Sequence, residues 1–151
     1  MTDHLESISV RSSLAAAIRH RPPSVATCAI ALVVVKGALR VAGFARTLRA
    51  VEWLTRGRAG EARSDREFVL AADHAVAVAA ALYPGRALCL EQSLVLYHLL
   101  RHGGVAATLR IGVHPYPFSA HAWVECDGAP VNDVLEHVKM YAPLPASADR
   151  R

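Results

Sequence analysis

The feature that most constrains this chain is a change of hydrophobic period at Gly103-Gly104. Before the pair, apolar residues recur at helical spacing: Phe68, Val69, Ala72, Val76 and Ala79, then Leu96 and Leu100 within CLEQSLVLYHLLRHGG. A stripe that repeats every three to four residues lies along one side of a helix and is buried there. After the pair, ATLRIGV and HAWVEC follow, then an Asp127-Gly128 pair and VNDVL. Alternation at period two belongs to strands with one buried face, and Asp-Gly is a hairpin turn signal. The spacing predicts helices first and a small antiparallel meander after them, an α+β architecture.

Within the helical part, residues 10–19 are predicted as a short helix ended by Pro22 and Pro23, since proline removes a donor and restricts its predecessor. Ser24 then caps a new helix. Apolar residues persist from Val25 to Leu54 with Gly37 and Gly43 among them, which predicts two helices or one kinked helix, closed by the Gly57 to Gly60 segment. Ser64 and Glu67 have capping-box spacing ahead of Phe68, and that helix runs to Pro84 and Gly85. Gly103 and Gly104 supply a left-handed cap for the helix that starts near Cys89. With 151 residues, the chain is the size of one domain, 1–151, mainly helical over 1–83 and with a core over 84–143.

The formal charge is +4, but residues 36–66 carry eight Lys or Arg against three Asp or Glu. Such a patch attracts acidic partners or simply forms a solvated helix face. No zinc-finger, RNP or helix-turn-helix signature accompanies it, so nucleic acid is not the expected partner. The apolar run Val25 to Val35, eleven residues, is too short to span a bilayer and reads as a buried helix. The first 24 residues include Asp3, Glu6, Arg11, Arg19 and Arg21 with no cleavable signal pattern. Three cysteines, Cys28, Cys89 and Cys126, without CxxC spacing argue against a disulfide framework and a structural zinc site. A reducing, cytoplasmic compartment is expected.

Cys89 falls in the first turn of its helix, where the positive end of the macrodipole and unpaired N–H groups stabilise thiolate over thiol. Cys89, Ser93, Leu96 and Leu100 share one face, whereas Glu91, His98 and His102 fall on another, with His98 toward solvent. A thiolate nucleophile needs a base within reach, and His121 opens a strand suited to supply it. The ordered set Cys89, His121 and Asp133 is the candidate site. Cys126 lies five residues beyond His121, an odd offset that puts the two on opposite faces and argues against a shared metal. Cys126 is expected in the core. Trp123 and Glu125 share the His121 face; His114 borders the cleft in HPYPF, His74 sits on a polar helix face, and His137 has no evident partner.

CLEQSLVLYHLLRHGGVAATLRIGV followed by HAWVECDGAPVND resembles the lasso peptide biosynthesis B2 family of leader peptidases, over residues 85–143. The resemblance implies a transglutaminase-like, papain-like core that removes the leader from a ribosomally made precursor peptide with a Cys-His-Asp triad. Carried over by position, the nucleophile is Cys89, the base His121 and the acid of the VND segment Asp133. No metal or cofactor is implied. Members of this length work with a separate leader-recognition protein and pass the core peptide to an ATP-dependent lasso cyclase. Gln92 departs from the arginine more often met at that position. The same thioester chemistry also admits an amide-forming acyltransferase, and a peptide-binding scaffold is the non-catalytic alternative.

Hairpin register separates two neighbours as the orienting residue. A two-residue Asp127-Gly128 turn pairs Cys126 with Ala129 and sets Asn132 opposite Trp123, on the His121 face. A wider or bulged connection sets Asp133 there instead. Pro130 cannot donate to a ladder, so the sequence predicts the wider connection and Asp133 beside His121.

Overall fold

The computed structural model describes residues 22–56 and 66–144. Its elements run α1 (Val25–Ala42), α2 (Phe44–Thr55), α3 (Arg66–Leu82), α4 (Cys89–His102), β1 (Ala107–Pro115), β2 (Phe118–Cys126), β3 (Ala129–Pro130), α5 (Leu135–Val138) and β4 (Ala142–Pro143). The strands form one antiparallel sheet in the order β3-β2-β1-β4. The expected α+β arrangement, helices followed by a small antiparallel sheet, is the one observed. The expected helix over 10–19, the Ser64 cap and the Gly57 to Gly60 terminator lie outside the described residues.

Ser24 caps α1 by accepting the Thr27 N–H at 3.2 Å. Gly37 sits inside α1 without interrupting it, whereas Gly43, at φ +76°, ends α1 and starts α2. Its carbonyl then receives both the Thr47 N–H, at 3.1 Å, and the Thr47 hydroxyl, at 2.8 Å. The apolar run of α1 therefore continues through Lys36 to Ala42. At 18 residues and a mean hydropathy of 2.0, α1 is long and apolar enough to cross a bilayer by length and composition. It is not the buried helix that the sequence suggests: only Cys28, Leu32 and Val35 are buried, one stripe at helical spacing.

That stripe packs against α3 and α4, and α4 in turn packs on β1 and β2. Phe68, Ala72, Val76 and Ala79 of α3 meet Leu94, Leu96 and Leu100 of α4 in one apolar cluster that continues to Val124 and Cys126 of β2. The three α4 leucines are completely excluded from solvent, and each such burial is worth roughly 1.5–3 kcal/mol. α4 is thus the element shared by the helical layer and the sheet. Its end is set by Gly104, at φ +87°. Gly103 serves differently, since a Cβ there would lie 2.6 Å from the Phe68 ring.

Candidate active site

The start of α4 is held by polar contacts from three directions. Glu91 reaches back so that its Oε2 accepts the Leu88 N–H at 2.9 Å. Lys36 of α1 donates to the Arg86 carbonyl at 2.8 Å, lies 3.8 Å from Glu91 Oε2 and sits over the Tyr83 ring at 4.9 Å. Gln92 donates to the Ala87 carbonyl at 2.9 Å. These contacts make Cys89 the first residue of α4. Glu91, which the sequence sets on a different helix face from Cys89, is itself buried. A carboxylate can be buried there because a main-chain donor and an ammonium group satisfy it.

Cys89 is half-buried, while Cys28 and Cys126 are buried. Burial pushes the Cys126 thiol up to about 11, with the neighbouring Asp127 charge adding to it, and burial likewise raises Cys28. Both are protonated, poorly reactive thiols at neutral pH. Cys126 belongs to the apolar core, as the strand parity predicts.

One turn after Cys89, Ser93 is fully buried and donates to the Ala122 carbonyl at 2.9 Å, tying α4 to the residue beside His121. Its Oγ also receives the Asn132 amide at 3.0 Å. The Asn132 Oδ1 accepts the Val124 N–H at 2.8 Å. Helix, central strand and the 131–133 segment are joined through one buried side chain, Ser93, and one half-buried one, Asn132.

The hairpin corrects the route by which sequence reasoning reached Asp133. The turn is the tight two-residue one: Cys126 pairs with Ala129 and Glu125 with Pro130, with Asp127 at φ +51° and Gly128 at φ +76°. No wider connection forms, because a proline at an edge position is tolerated where its missing N–H is not needed. The expected strand over 131–135 is also absent from the described sheet. After Val131 donates to the Val124 carbonyl at 2.9 Å, the Asn132 side chain replaces main chain as the partner of the Val124 N–H. The backbone then leaves the ladder. Asn132 turns to the α4 side, and Asp133 Oδ2 comes to 2.5 Å from His121 Nε2.

A second histidine converges on the same oxygen. His137 Nδ1 lies 2.7 Å from Asp133 Oδ2, four residues away on the turn of α5, so the sequence reading that gave it no partner is overturned. The Val134 N–H donates to Asp133 Oδ1 at 2.7 Å. Burial raises the Asp133 pKa, but the hydrogen bonds from His137, Val134 and His121 outweigh it and hold the group below the usual carboxylate value. An ionised carboxylate only accepts, so each ring carries its proton on the nitrogen facing Asp133. For His121 this leaves Nδ1 as a basic nitrogen.

Three rings surround His121: Trp123 stacked at 6.0 Å between centroids, Tyr141 at 5.2 Å and His137 at 4.9 Å. Trp123 is buried and donates to Glu125 Oε1 at 2.9 Å, and Glu125 pairs with Arg110 at 2.9 Å. Gly112 sits opposite His121 in the β1–β2 ladder, where a Cβ would come 2.7 Å from Tyr141 Cβ and 3.0 Å from Trp123 Cη2. Tyr141 and Gly112 were not singled out from sequence. A glycine inside an otherwise regular strand is the signal that marks such a close approach. His114 borders this region through Tyr141, 6.2 Å away, with its Nδ1 3.3 Å from the Pro117 carbonyl. Beside the α4 start lies an open cleft of about 820 Å³, lined in part by Lys36, Arg40, Phe44, Tyr83, Arg86 and Leu88.

Among the described residues, no hydrogen bond joins the Cys89 thiol to His121. Nucleophile and base are commonly apart in substrate-free sites and close in the Michaelis complex. The arrangement offers an accessible thiol at a helix start and an imidazole oriented by a carboxylate.

A family model of the transglutaminase-like superfamily matches residues 31–146, most of the chain. No curated protein and no solved structure matches.

Proposed function

This chain belongs to the transglutaminase-like superfamily, and from that membership we propose that it is a cysteine peptidase that removes the leader from a lasso precursor peptide. The observation that carries the catalytic part is the His121–Asp133 contact at 2.5 Å on the sheet that α4 packs against, with Cys89 opening that helix. The resemblance of residues 85–143 to the lasso B2 leader peptidases supports the substrate.

In this reading the Cys89 thiolate attacks the carbonyl carbon at the leader junction. The first N–H groups of α4 have no intrahelical acceptor and receive the developing oxyanion. The His121 imidazolium gives its Nδ1 proton to the leaving amine, and a thioester remains. His121 Nδ1 then takes a proton from water, the hydroxide attacks the thioester, and Cys89 leaves as thiolate. Asp133 keeps the imidazole oriented and stabilises its charged form. Arg40 and Arg86 give the cleft beside Cys89 a basic wall suited to acidic peptide segments.

A separate leader-recognition protein raises the rate by holding precursor at high effective concentration, and an ATP-dependent lasso cyclase receives the core peptide. The basic surface with Arg40, Arg46, Arg49 and Arg56 is the docking face assigned to that partner; Arg58 of the same run lies outside the described residues. Charge reversal of these arginines weakens partner-dependent cleavage in this reading, and unchanged kinetics at low salt would remove the docking face.

The test is mass analysis of lasso precursor peptides incubated with the chain, with and without a leader-recognition protein. A product heavier by one water per bond cleaved at the leader junction, and none with Cys89→Ala of unchanged circular dichroism, is the expected result. Cleavage by Cys89→Ala near the wild-type rate would overturn the nucleophile. Capture of the acyl group by an amine would assign the acyltransferase instead.

A further inference from the structure

The Asp133 carboxylate carries more than an orienting role requires. One histidine is enough to position a base, yet two rings aim a nitrogen at the same oxygen. His121 Nε2, Asp133 Oδ2 and His137 Nδ1 all lie within 4.8 Å of one another. We propose that these three residues form a binding site for a borderline-soft divalent cation, Zn²⁺ foremost, and that its occupation switches off the thiol chemistry of Cys89; the second half rests on the function proposed above.

The donor set selects the ion. Two imidazole nitrogens and one carboxylate oxygen suit Zn²⁺, whereas Mg²⁺ and Ca²⁺ prefer all-oxygen shells. The geometry is near what Zn²⁺ needs. Tetrahedral ligands about 2.0–2.2 Å from the ion sit roughly 3.3 Å from each other. The two nitrogens are now 2.5 and 2.7 Å from Oδ2. The carboxylate therefore retreats by less than about 1 Å through its soft terminal torsion. The two nitrogens, within 4.8 Å of one another, close by up to roughly 1.5 Å as the more exposed His137 ring turns inward. Supporting contacts are present, since Val134 N–H holds Asp133 Oδ1 and the rings of Trp123 and Tyr141 flank His121. Side-chain exposure of 37% at His137, against 16% at His121 and 14% at Asp133, opens the cluster to solvent on the His137 side. An ion reaches the site from there, and its fourth position keeps a water.

The inhibitory effect follows from proton bookkeeping on His121. To bind through Nε2, a neutral imidazole moves its proton from Nε2 to Nδ1. Nδ1 is the nitrogen that has to accept a proton from the Cys89 thiol or from water, and it is then occupied. The Asp133 charge that favours imidazolium is at the same time neutralised by the cation. No bond to Cys89 is needed, so the site survives removal of the thiol.

Chelator-treated Cys89→Ala protein titrated with Zn²⁺ alone by calorimetry should bind one ion per chain, and Mg²⁺ should not compete. His137→Gln, made in the same background, removes a direct ligand and should weaken binding by at least the roughly 10–100-fold that loss of an outer-shell partner costs. Co²⁺ added to the Cys89→Ala protein should give the intense visible bands of tetrahedral coordination, a readout that stands even if His137→Gln fails to fold. In the wild-type protein, Zn²⁺ at saturating concentration should cut precursor cleavage at least tenfold, with recovery on adding EDTA. Absence of stoichiometric binding, binding indifferent to His137→Gln, an octahedral Co²⁺ spectrum, or a rate raised by Zn²⁺ would each overturn the proposal. Calorimetry reads the cation site whether or not the chain cleaves precursor, so failure of the peptidase reading and failure of the metal site are told apart.

Discussion

The outer face of α1 and the surroundings of His121 meet solvent in opposite ways. On α1, Ile30, Val33, Val34 and Val41 are 66%, 56%, 62% and 90% exposed. Around His121, by contrast, Asp133 bonds through both oxygens, and Asn132 and Ser93 each make two bonds. An exposed aliphatic surface makes no directional demands, so its residues are interchangeable in the fold. A buried polar network demands each partner, because a donor or acceptor left unsatisfied costs about 1–3 kcal/mol. The difference teaches where this fold is specified: little on the helical exterior, closely in the 121–141 region.

The sharpest way to break the comparison is at Asp133. Asp133→Asn keeps the shape but loses the charge, and kcat for the proposed leader cleavage should fall roughly 10²–10⁴-fold with little loss of fold. A fall under about tenfold would show that His121 does not depend on this carboxylate. The same variant probes acid stability. The Asp133 pKa is lowered in the folded state, so its stabilisation is present above the unfolded value near 3.9 and disappears as pH falls through the lower folded value. Wild type should therefore lose stability below about pH 4 more steeply than Asp133→Asn, as read from urea midpoints across that range.

Next in size is the Asn132 bridge. Asn132→Leu leaves the Val124 N–H unpaired and removes the Ser93 partner, and should cost about 2–3 kcal/mol in urea unfolding. A loss below about 0.5 kcal/mol would mean that water takes over these contacts. Gly112→Ala comes third. The added methyl meets the Tyr141 and Trp123 side chains that flank His121, so about 1–2 kcal/mol of stability should be lost together with activity, since the collision displaces rings packed on the imidazole. Activity held at the wild-type level would separate ring packing from His121 geometry.

The smallest effect belongs to the other region. Val33→Gln and Val41→Gln should each change stability by no more than about 0.5 kcal/mol. A larger loss, or a change in oligomeric state by light scattering, would show that another surface covers this face.

The elements were legible wherever one periodic pattern is set by neighbours close in sequence. The α4 stripe, its glycine cap, the extents of β1 and β2 and Cys89 at a helix start are all of this kind, since local sterics and propensity settle them, whereas burial of the consecutive Ala122, Trp123 and Val124 departs from the one-faced alternation. The pairing of Asp133 with His121 was expected, yet for a reason the structure rejects, because the turn is tight and the ladder simply ends after Val131. That ending depends on Asn132 meeting Ser93, 39 residues away in the chain, which no local pattern encodes. His137 carried a faint signal in its four-residue spacing from Asp133, lost because α5 is only four residues long.

Residue order thus settled helix, strand and the supply of thiol, imidazole and carboxylate, because propensity and hydrophobic period act over one or two turns of chain. Which side chains meet was left to tertiary packing. Lys36 is drawn from a basic run into the Glu91 contact, Asn132 is exchanged for Asp133 at His121, and His137 is brought onto the same oxygen. These choices follow from satisfying buried donors and acceptors across distant segments at once, a condition that exists only when the whole core has closed.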